Sequence, residues 1–209
     1  MKDGPLDMRM ASYGRHETSE QAIRERTGRR TVPASVVVNN YTVEQLADIF
    51  TTYGEERHAY RIAQAIDQYR RQQVIATTAQ LAEVIYSAVP HAQRQRSADG
   101  RSFRNPASRV FQGLRIYVND ELAELQMSLG EAFSLTRPGG RVVVVSFHSL
   151  EDRIVKRLFR EQSQAEETTD DPVTPAFRLL TRKVIKPTKE EMAGNPRARS
   201  ALLRAIERT

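Results

Sequence analysis

Apolar residues in the middle of the chain recur at the spacing of one face of an α-helix. The pattern i, i+3, i+4, i+7 occurs three times, in Leu46, Ile49, Phe50 and Tyr53, in Ala59, Ile62, Ala63 and Ile66, and in Leu81, Val84, Ile85 and Ala88. Gly54 separates the first two runs, and Thr77 or Thr78 is a suitable N-cap for the third. The spacing therefore predicts three consecutive amphipathic helices.

A fourth apolar series follows a basic stretch and predicts one longer helix. The helix begins near Pro106, where a missing N–H costs little because the first helical turn leaves that group unbonded. Its apolar residues lie three or four positions apart: Phe111, Leu114, Val118, Leu122, Leu125 and Leu129. Residues 43–130 are thus interpreted as a helical domain, and residues 1–42 as an irregular lead-in with a short helix near Glu17–Arg26.

Residues 131–209 have the pattern of an α/β segment. The turn Arg137–Gly140 precedes Val142–Val145, a β-branched run that favours a strand buried on both sides, as in a parallel sheet covered by helices. Ser149 and Asp152 then match the S-x-x-D capping pattern at the start of a helix. Two shorter strands complete the prediction, within 177–186 and 200–207.

Composition excludes several classes of site and of protein. None of the 209 residues is cysteine, which excludes disulfide frameworks, thiolate nucleophiles and Cys-ligated metal centres, and no other metal site is predicted. No apolar run reaches 18 residues, and the first 30 residues are polar and charged. Neither a membrane span nor a signal peptide is therefore predicted, and the protein is expected to be soluble and cytoplasmic.

The formal net charge of +6 is unevenly distributed. Residues 91–115 carry six arginines and one aspartate, and residues 177–209 carry nine basic and three acidic side chains. The acidic stretch 166–171 lies between them. Two basic regions favour a polyanionic partner, most simply a nucleic acid. The alternative is an arginine-rich protein whose charged faces are only solvated.

The turn after the Val142–Val145 strand is the favoured position for chemistry, because ligands of open α/β sheets bind beyond the carboxyl ends of the strands. His148 can exchange hydrogen bonds with a base there, Phe147 can stack on one, and the following helix N-terminus favours an anion. The alternative is that Ser149 and Asp152 only cap the helix. None of the ten glycines forms G-x-G, so no nucleotide cofactor site is predicted.

Seven segments together resemble the bacterial small-subunit (16S) ribosomal RNA cytosine-N4 methyltransferase family. They are, in the family's order, Asp3–Met10, Tyr53–Arg57, Thr77–Pro90, Asn105–Leu122, Pro138–Arg141, Ser146–Arg157 and Asn195–Ser200. The resemblance implies the C-terminal part of a Rossmann-like methyltransferase sheet, with the helical domain inserted before its fifth strand. Val142–Val145 would be that fifth strand. Residues 1–42 would hold a remnant of the methyltransferase domain and a divergent linker.

The resemblance also implies an activity, which is S-adenosylmethionine-dependent methylation of the N4 amine of a cytidine in 16S ribosomal RNA. The expected partner is that RNA or the small ribosomal subunit, and no oligomeric state is predicted. His148, Ser149 and Asp152 are candidates for a wall that supports the base. The candidates for RNA contact are Arg57, Arg104, Asn105, Arg109, Arg153, Arg197 and Arg199. Asn105 stands where the family usually has histidine.

Members of the family carry a Gly-rich S-adenosylmethionine loop in an N-terminal part, and Lys2-Asp3-Gly4 lies downstream of that loop. We therefore expect an N-terminally truncated copy that binds no S-adenosylmethionine and is inactive on its own. Three hypotheses stay open at this point: a truncated methyltransferase, a non-catalytic ribosomal-RNA-binding module, and a fragment that folds poorly because its strand lacks neighbours.

Overall fold

A computed structural model describes residues 3–10, 32–89, 106–164 and 176–209. The elements in these ranges are α1 (Ala34–Asn40), α2 (Val43–Thr52), α3 (Ala59–Arg70), α4 (Thr78–Ala88), α5 (Pro106–Asn119), α6 (Glu121–Leu135), β1 (Arg141–Ser146), α7 (Ser149–Gln162), β2 (Phe177–Leu179), α8 (Lys189–Gly194), a 3₁₀ helix (Pro196–Ser200) and β3 (Leu202–Arg208). The chain divides into two compact units, Met1–Glu121 and Leu122–Thr209, here called the helical unit and the sheet unit. No helix of the described ranges is long and apolar enough to cross a membrane.

The three helices predicted from apolar spacing are confirmed as α2, α3 and α4. Two of them begin with a capping box, in which the N-cap hydroxyl and the side chain three residues later exchange hydrogen bonds with the backbone. Thr42 and Gln45 form the box of α2, with distances of 3.2 and 2.9 Å. Thr77 and Gln80 form that of α4, at 3.3 and 3.0 Å, so Thr77 is the N-cap.

One apolar core joins the helices of this unit. Its fully buried members come from the predicted helical faces and include Leu46, Phe50, Ile62, Ile66, Leu81, Ile85 and Leu114. Burying a side chain of this size contributes roughly 1.5–3 kcal/mol relative to leaving it exposed. The shared core, more than helix propensity, therefore stabilises these short helices.

Residues Asp3–Met10 and α1 also belong to the helical unit, and the pattern did not predict α1. Leu6 is buried in the core, and its N–H donates to the carbonyl of Ala76 at 3.0 Å. The N–H of Ala34 donates to the carbonyl of Asp7 at 2.8 Å. The seven residues of α1 include three consecutive valines, which have modest helix propensity, so burial decides their conformation. The predicted helix near Glu17–Arg26 lies outside the described residues.

The prediction of one long helix from Pro106 to Leu129 is wrong, because the chain breaks between α5 and α6. Asp120 has a φ of 51°, in the left-handed region that Asp and Asn tolerate better than most residues. The neighbouring Asn119 donates from its amide to the carbonyl of Met8 at 2.9 Å. The apolar spacing of three and four residues continues across this break, so periodicity alone did not reveal it.

The sheet unit contains a three-stranded sheet in which β3 lies between β1 and β2 and is antiparallel to both. Val142 lies opposite Ile206, and Phe177 opposite Arg208. One face of the sheet packs on α6 and α7 through Leu129, Phe133, Val155, Phe159, Phe177 and Ile206. The predicted strands in 142–145, 177–186 and 200–207 are thus confirmed as β1, β2 and β3.

The prediction that Val142–Val145 is buried on both sides of a parallel sheet is wrong for the described residues. Val143 and Val145 are 55% and 48% exposed, while Val142 and Val144 pack against the core. The exposed pair lies opposite Ala205 and Leu203 on what we call the outer face of the sheet. A β-branched run favours a strand, but the number of covering layers depends on distant segments.

Candidate functional site

Two segments that carried the family resemblance meet at one end of the sheet. Ser146, the last residue of β1, lies opposite Leu202, the first residue of β3, and its hydroxyl donates to the Leu202 carbonyl at 3.3 Å. The turn that follows β1 therefore lies beside the 3₁₀ helix that precedes β3. This turn contains Phe147 and His148, and the 3₁₀ helix contains Arg197 and Arg199.

His148, and not Ser149, is the N-cap of α7. Its Nδ1 accepts from the N–H of Glu151 at 3.4 Å. Glu151 in turn accepts from the N–H groups of Phe147 and His148, at 2.8 and 3.3 Å. The predicted capping pair of Ser149 and Asp152 is therefore wrong by one residue, because an imidazole and a glutamate complete the reciprocal bonds instead.

The position of the His148 ring follows from this cap. Because Nδ1 is an acceptor, a neutral imidazole carries its proton on Nε2. That Nε2 atom lies 3.3 Å from Oε1 of Glu151, and the side chain is only 10% exposed. The cap thus fixes the orientation of the ring at the sheet end. Ser149 follows as the exposed first residue of α7.

Asp152 braces α7 against β3. Its two carboxylate oxygens accept from Nε and Nη2 of Arg204 at 2.7 and 2.9 Å, a bidentate pair. The side chains of Asp152 and Arg204 are 18% and 10% exposed. Asp152 and Arg204 are therefore paired with each other. A role for Asp152 in supporting a base stays a prediction.

Exposed aromatic and cationic side chains surround this end of the sheet. Asn195 accepts from the N–H of Arg197 at 3.2 Å and starts the 3₁₀ helix, in which Arg197 and Arg199 are exposed. Phe147 is exposed in the turn, and Arg153 is exposed near the start of α7. Aromatic rings stack on unpaired bases, and guanidinium groups bind phosphates, so this combination suits single-stranded RNA.

In the helical unit, the candidate residues Arg57 and Arg109 lie near the point where α5 packs against the turn that contains Gly54. A Cβ on Gly54 would lie 2.6 Å from the carbonyl oxygen of Arg109, so only glycine lets α5 approach this turn so closely. The guanidinium of Arg109 lies 3.9 Å from the buried carboxylate of Glu56, and Arg57 is exposed beside it. The other two candidates, Arg104 and Asn105, lie outside the described residues.

Comparison with known proteins identifies the family. The model of a family described as the MraW methylase family matches residues 1–209. The chain belongs to the MraW methylase family. The predicted resemblance is thereby confirmed at the level of the family.

Several relatives carry the name ribosomal RNA small subunit methyltransferase H. The chain is 45% identical to that of Rhodospirillum centenum, 46% to that of Thermobifida fusca and 41% to that of Ehrlichia canis. These alignments cover 99%, 99% and 98% of the chain, but 57%, 58% and 61% of the relatives. The chain thus spans less than two thirds of the curated relatives it matches.

The described residues at the sheet end do not fit the S-adenosylmethionine that the resemblance implies. The turn between β1 and α7 contains no glycine, and the capping box of His148 and Glu151 occupies the N-terminus of α7. The nearest acidic groups, Glu151 and Asp152, are bonded to backbone amides and to Arg204. No step that involves the methyl donor is therefore assigned to the described part of this family member.

Proposed function

We propose that the chain supplies the RNA-binding region and part of the sheet of an S-adenosylmethionine-dependent methyltransferase that modifies the N4 amine of a cytidine in 16S ribosomal RNA. The observation that carries this proposal is the match of the family model to the whole chain, together with the shared name of the relatives. The resemblance to the cytosine-N4 methyltransferase family implies that the target base is cytosine and that the methylated atom is its N4. On this proposal, the chain alone does not bind the methyl donor.

The shape of the sheet unit supports the proposal. β1 is an edge strand, and within the described residues its outer edge pairs with no other strand. Val143 and Val145 expose apolar surface on the outer face beside this edge. An unpaired edge next to apolar surface is a place where further strands and a covering layer add favourably. The part of the relatives that the chain does not match is long enough to provide them.

The chemistry assigns distinct roles to the residues at the sheet end. The exocyclic amine of cytosine is a poor nucleophile, because its lone pair is delocalised into the ring, so the base must be held in line with the methyl group. The base must also leave its RNA stack. We assign Phe147 to stacking and His148, held rigid by Glu151, to the wall of the pocket with Ser149. Asp152 supports that wall through its bond to Arg204.

The exposed arginines would bind the RNA backbone. Phosphate contacts position a strand without reading its sequence, and each one adds to the salt dependence of binding. In the sheet unit these contacts would come from Arg153, Arg197 and Arg199. In the helical unit they would come from Arg57, Arg109 and the candidates Arg104 and Asn105.

A second candidate function is a non-catalytic module that binds ribosomal RNA. It is favoured by the same exposed arginines and by the poor fit of the sheet end to S-adenosylmethionine. The two functions differ in what happens when the rest of the enzyme is supplied. The methyltransferase proposal requires that activity then appears, whereas the binding module would only bind.

Reconstitution tests the two functions in one assay. The 209-residue chain is mixed with the separately produced segment of the Thermobifida fusca relative that it does not match, with tritiated S-adenosylmethionine and with small ribosomal subunits that lack this methyl group. We expect label in cytidine N4 of 16S ribosomal RNA only when both polypeptides are present. Binding without label would favour the non-catalytic module, and the absence of any RNA binding would contradict both functions.

A further inference from the structure

A groove in the helical unit is lined by none of the residues already proposed to contact RNA. It lies between α3 and α4 and has a volume of about 430 Å³, within the range of roughly 300–1,000 Å³ of small-ligand sites. Ala65 and Val84 contribute apolar lining. Gln68, Tyr69, Gln72 and Glu83 contribute polar groups.

The lining of this groove suits a planar base better than a phosphate. The carboxamides of Gln68 and Gln72 each offer donors and an acceptor, and the carboxylate of Glu83 accepts from an amine. The ring of Tyr69 is partly buried against the core and offers a flat wall. Among the described residues that line the groove, the one formally charged group, Glu83, is negative, which disfavours a phosphate inside the groove.

One arginine lies on α3 a turn before the groove, and a second precedes that helix in the chain. Arg61 lies four residues before Ala65, which places it one helical turn, about 6 Å, towards the N-terminus on the same face. Arg57 lies just before α3. Both arginines are exposed, and within the described residues no carboxylate forms an ion pair with either one.

The other two arginines of α3 and its C-terminal end are already engaged. Arg70 donates to Asp67 at 2.8 Å and to the carbonyl of Val38 at 2.8 Å. Arg71 donates to the same carboxylate at 2.7 Å. These bonds hold the pKa of Asp67 below its ordinary value, first through Arg70 and then through Arg71. Arg57 and Arg61 are therefore the pair available to a ligand.

We propose that the groove between α3 and α4 binds the base of one unpaired RNA nucleotide, while Arg57 and Arg61 bind its neighbouring phosphates. The inference rests on the proposed function for the identity of the partner as RNA. It adds a specific site that prefers single strands to duplexes. It also separates two kinds of contact along α3 and the residues that flank it, since the glutamines contact the base and the arginines contact the backbone.

Fluorescence anisotropy on the 209-residue chain tests this site. The probes are a fluorescein-labelled 12-nucleotide single strand of mixed sequence and a hairpin of the same composition, titrated between 50 and 200 mM NaCl. Arg61→Gln is expected to weaken binding of the single strand roughly fivefold and to lower the salt slope by about 0.7. Gln68→Ala combined with Gln72→Ala is expected to weaken it roughly tenfold with an unchanged salt slope.

Arg71→Gln is the matched control, because it makes the same change of charge at the end of the same helix. Its side chain is 76% exposed and already paired with Asp67, so a change below about twofold is expected. Equal losses for Arg61→Gln and Arg71→Gln would overturn the proposal. All the substituted side chains lie outside the core, and unchanged melting temperatures verify that the variants fold.

Photo-crosslinking gives a second readout that does not depend on folding of variants. A single strand with 5-iodouridine is expected to crosslink to residues 62–70, the tryptic peptide that contains Tyr69. Crosslinks confined to other peptides, with RNA binding intact, would overturn the groove site and leave the proposed function standing. If the unmodified chain binds no RNA, both the groove site and the proposed function are overturned.

Discussion

Removal of the Asp152 carboxylate should destabilise the sheet unit far more than removal of a surface charge. The side chain of Arg204 is only 10% exposed, and in the Asp152→Ala variant its guanidinium loses two hydrogen bonds of 2.7 and 2.9 Å. Breaking one partner of a buried pair costs about 3–5 kcal/mol. Because Asp152 is 18% exposed and water reaches it, we expect about 2–3 kcal/mol of this cost.

Hydrogen exchange followed by mass spectrometry localises this effect. A loss of about 2–3 kcal/mol corresponds to amide exchange roughly 30- to 150-fold faster in the peptide that covers β3. The surface control is Glu161→Ala, which removes an exposed partner of Arg157 at 3.9 Å and should cost less than about 0.5 kcal/mol. If Asp152→Ala changes exchange no more than this control, the reasoning is refuted and Asp152 is not a structural brace.

A double variant separates loss of the pair from loss of the charge. Asp152→Leu combined with Arg204→Met removes both charged groups and leaves apolar side chains of similar size. Such replacements of buried ion pairs are often neutral or stabilising, so most of the lost stability should return. If the double variant is as unstable as Asp152→Ala, the cost does not come from an unpaired Arg204.

Two further changes test the helical unit. Gly54→Ala places a Cβ 2.6 Å from two backbone carbonyl oxygens, so we expect a loss of about 2–3 kcal/mol in urea unfolding followed by tyrosine fluorescence. Gly4→Ala, in the same unit and with no atom within 4 Å of its Cβ, is the control and should not destabilise. The N–H of Ala79 is the main cause that holds the pKa of Asp3 below its ordinary value. The stabilisation by this carboxylate is therefore present at neutral pH and is lost as the pH falls through the lowered pKa. At pH 7, the melting temperature of the Asp3→Asn variant should be below that of the unmodified chain, and in acid the two melting temperatures should converge. A difference in melting temperature that does not change with pH would contradict this reasoning.

The helices of the helical unit were largely predictable, because short sequence patterns within each helix indicate its position. Apolar residues on one helical face define α2, α3 and α4, and a threonine followed three positions later by glutamine marks the start of two of them. Periodicity failed at Asp120, where a left-handed residue redirects the chain without disturbing the apolar spacing. It failed again at α1, because burial of valines against residues distant in sequence overrides a modest propensity.

The site was less predictable because its contacts are distant in sequence or ambiguous in register. Ser149-x-x-Asp152 and His148-x-x-Glu151 overlap, and only the structure shows that the second pair caps α7. No local pattern signals the bond between Asp152 and Arg204, which are 52 residues apart. The spacing His-x-x-Glu was nevertheless a usable signal, since it places a side-chain acceptor and a carboxylate at the two positions of a capping box.

Isothermal titration of S-adenosylmethionine into the 209-residue chain tests whether this chain binds the methyl donor. We propose that this chain provides RNA binding and part of the sheet, and that the methyl donor binds to the part of the relatives that the chain does not match. We therefore expect no saturable heat when S-adenosylmethionine is added to the chain. Under the same conditions, the chain should bind single-stranded RNA. Saturable binding of S-adenosylmethionine with a stoichiometry near one would contradict this assignment of the methyl donor.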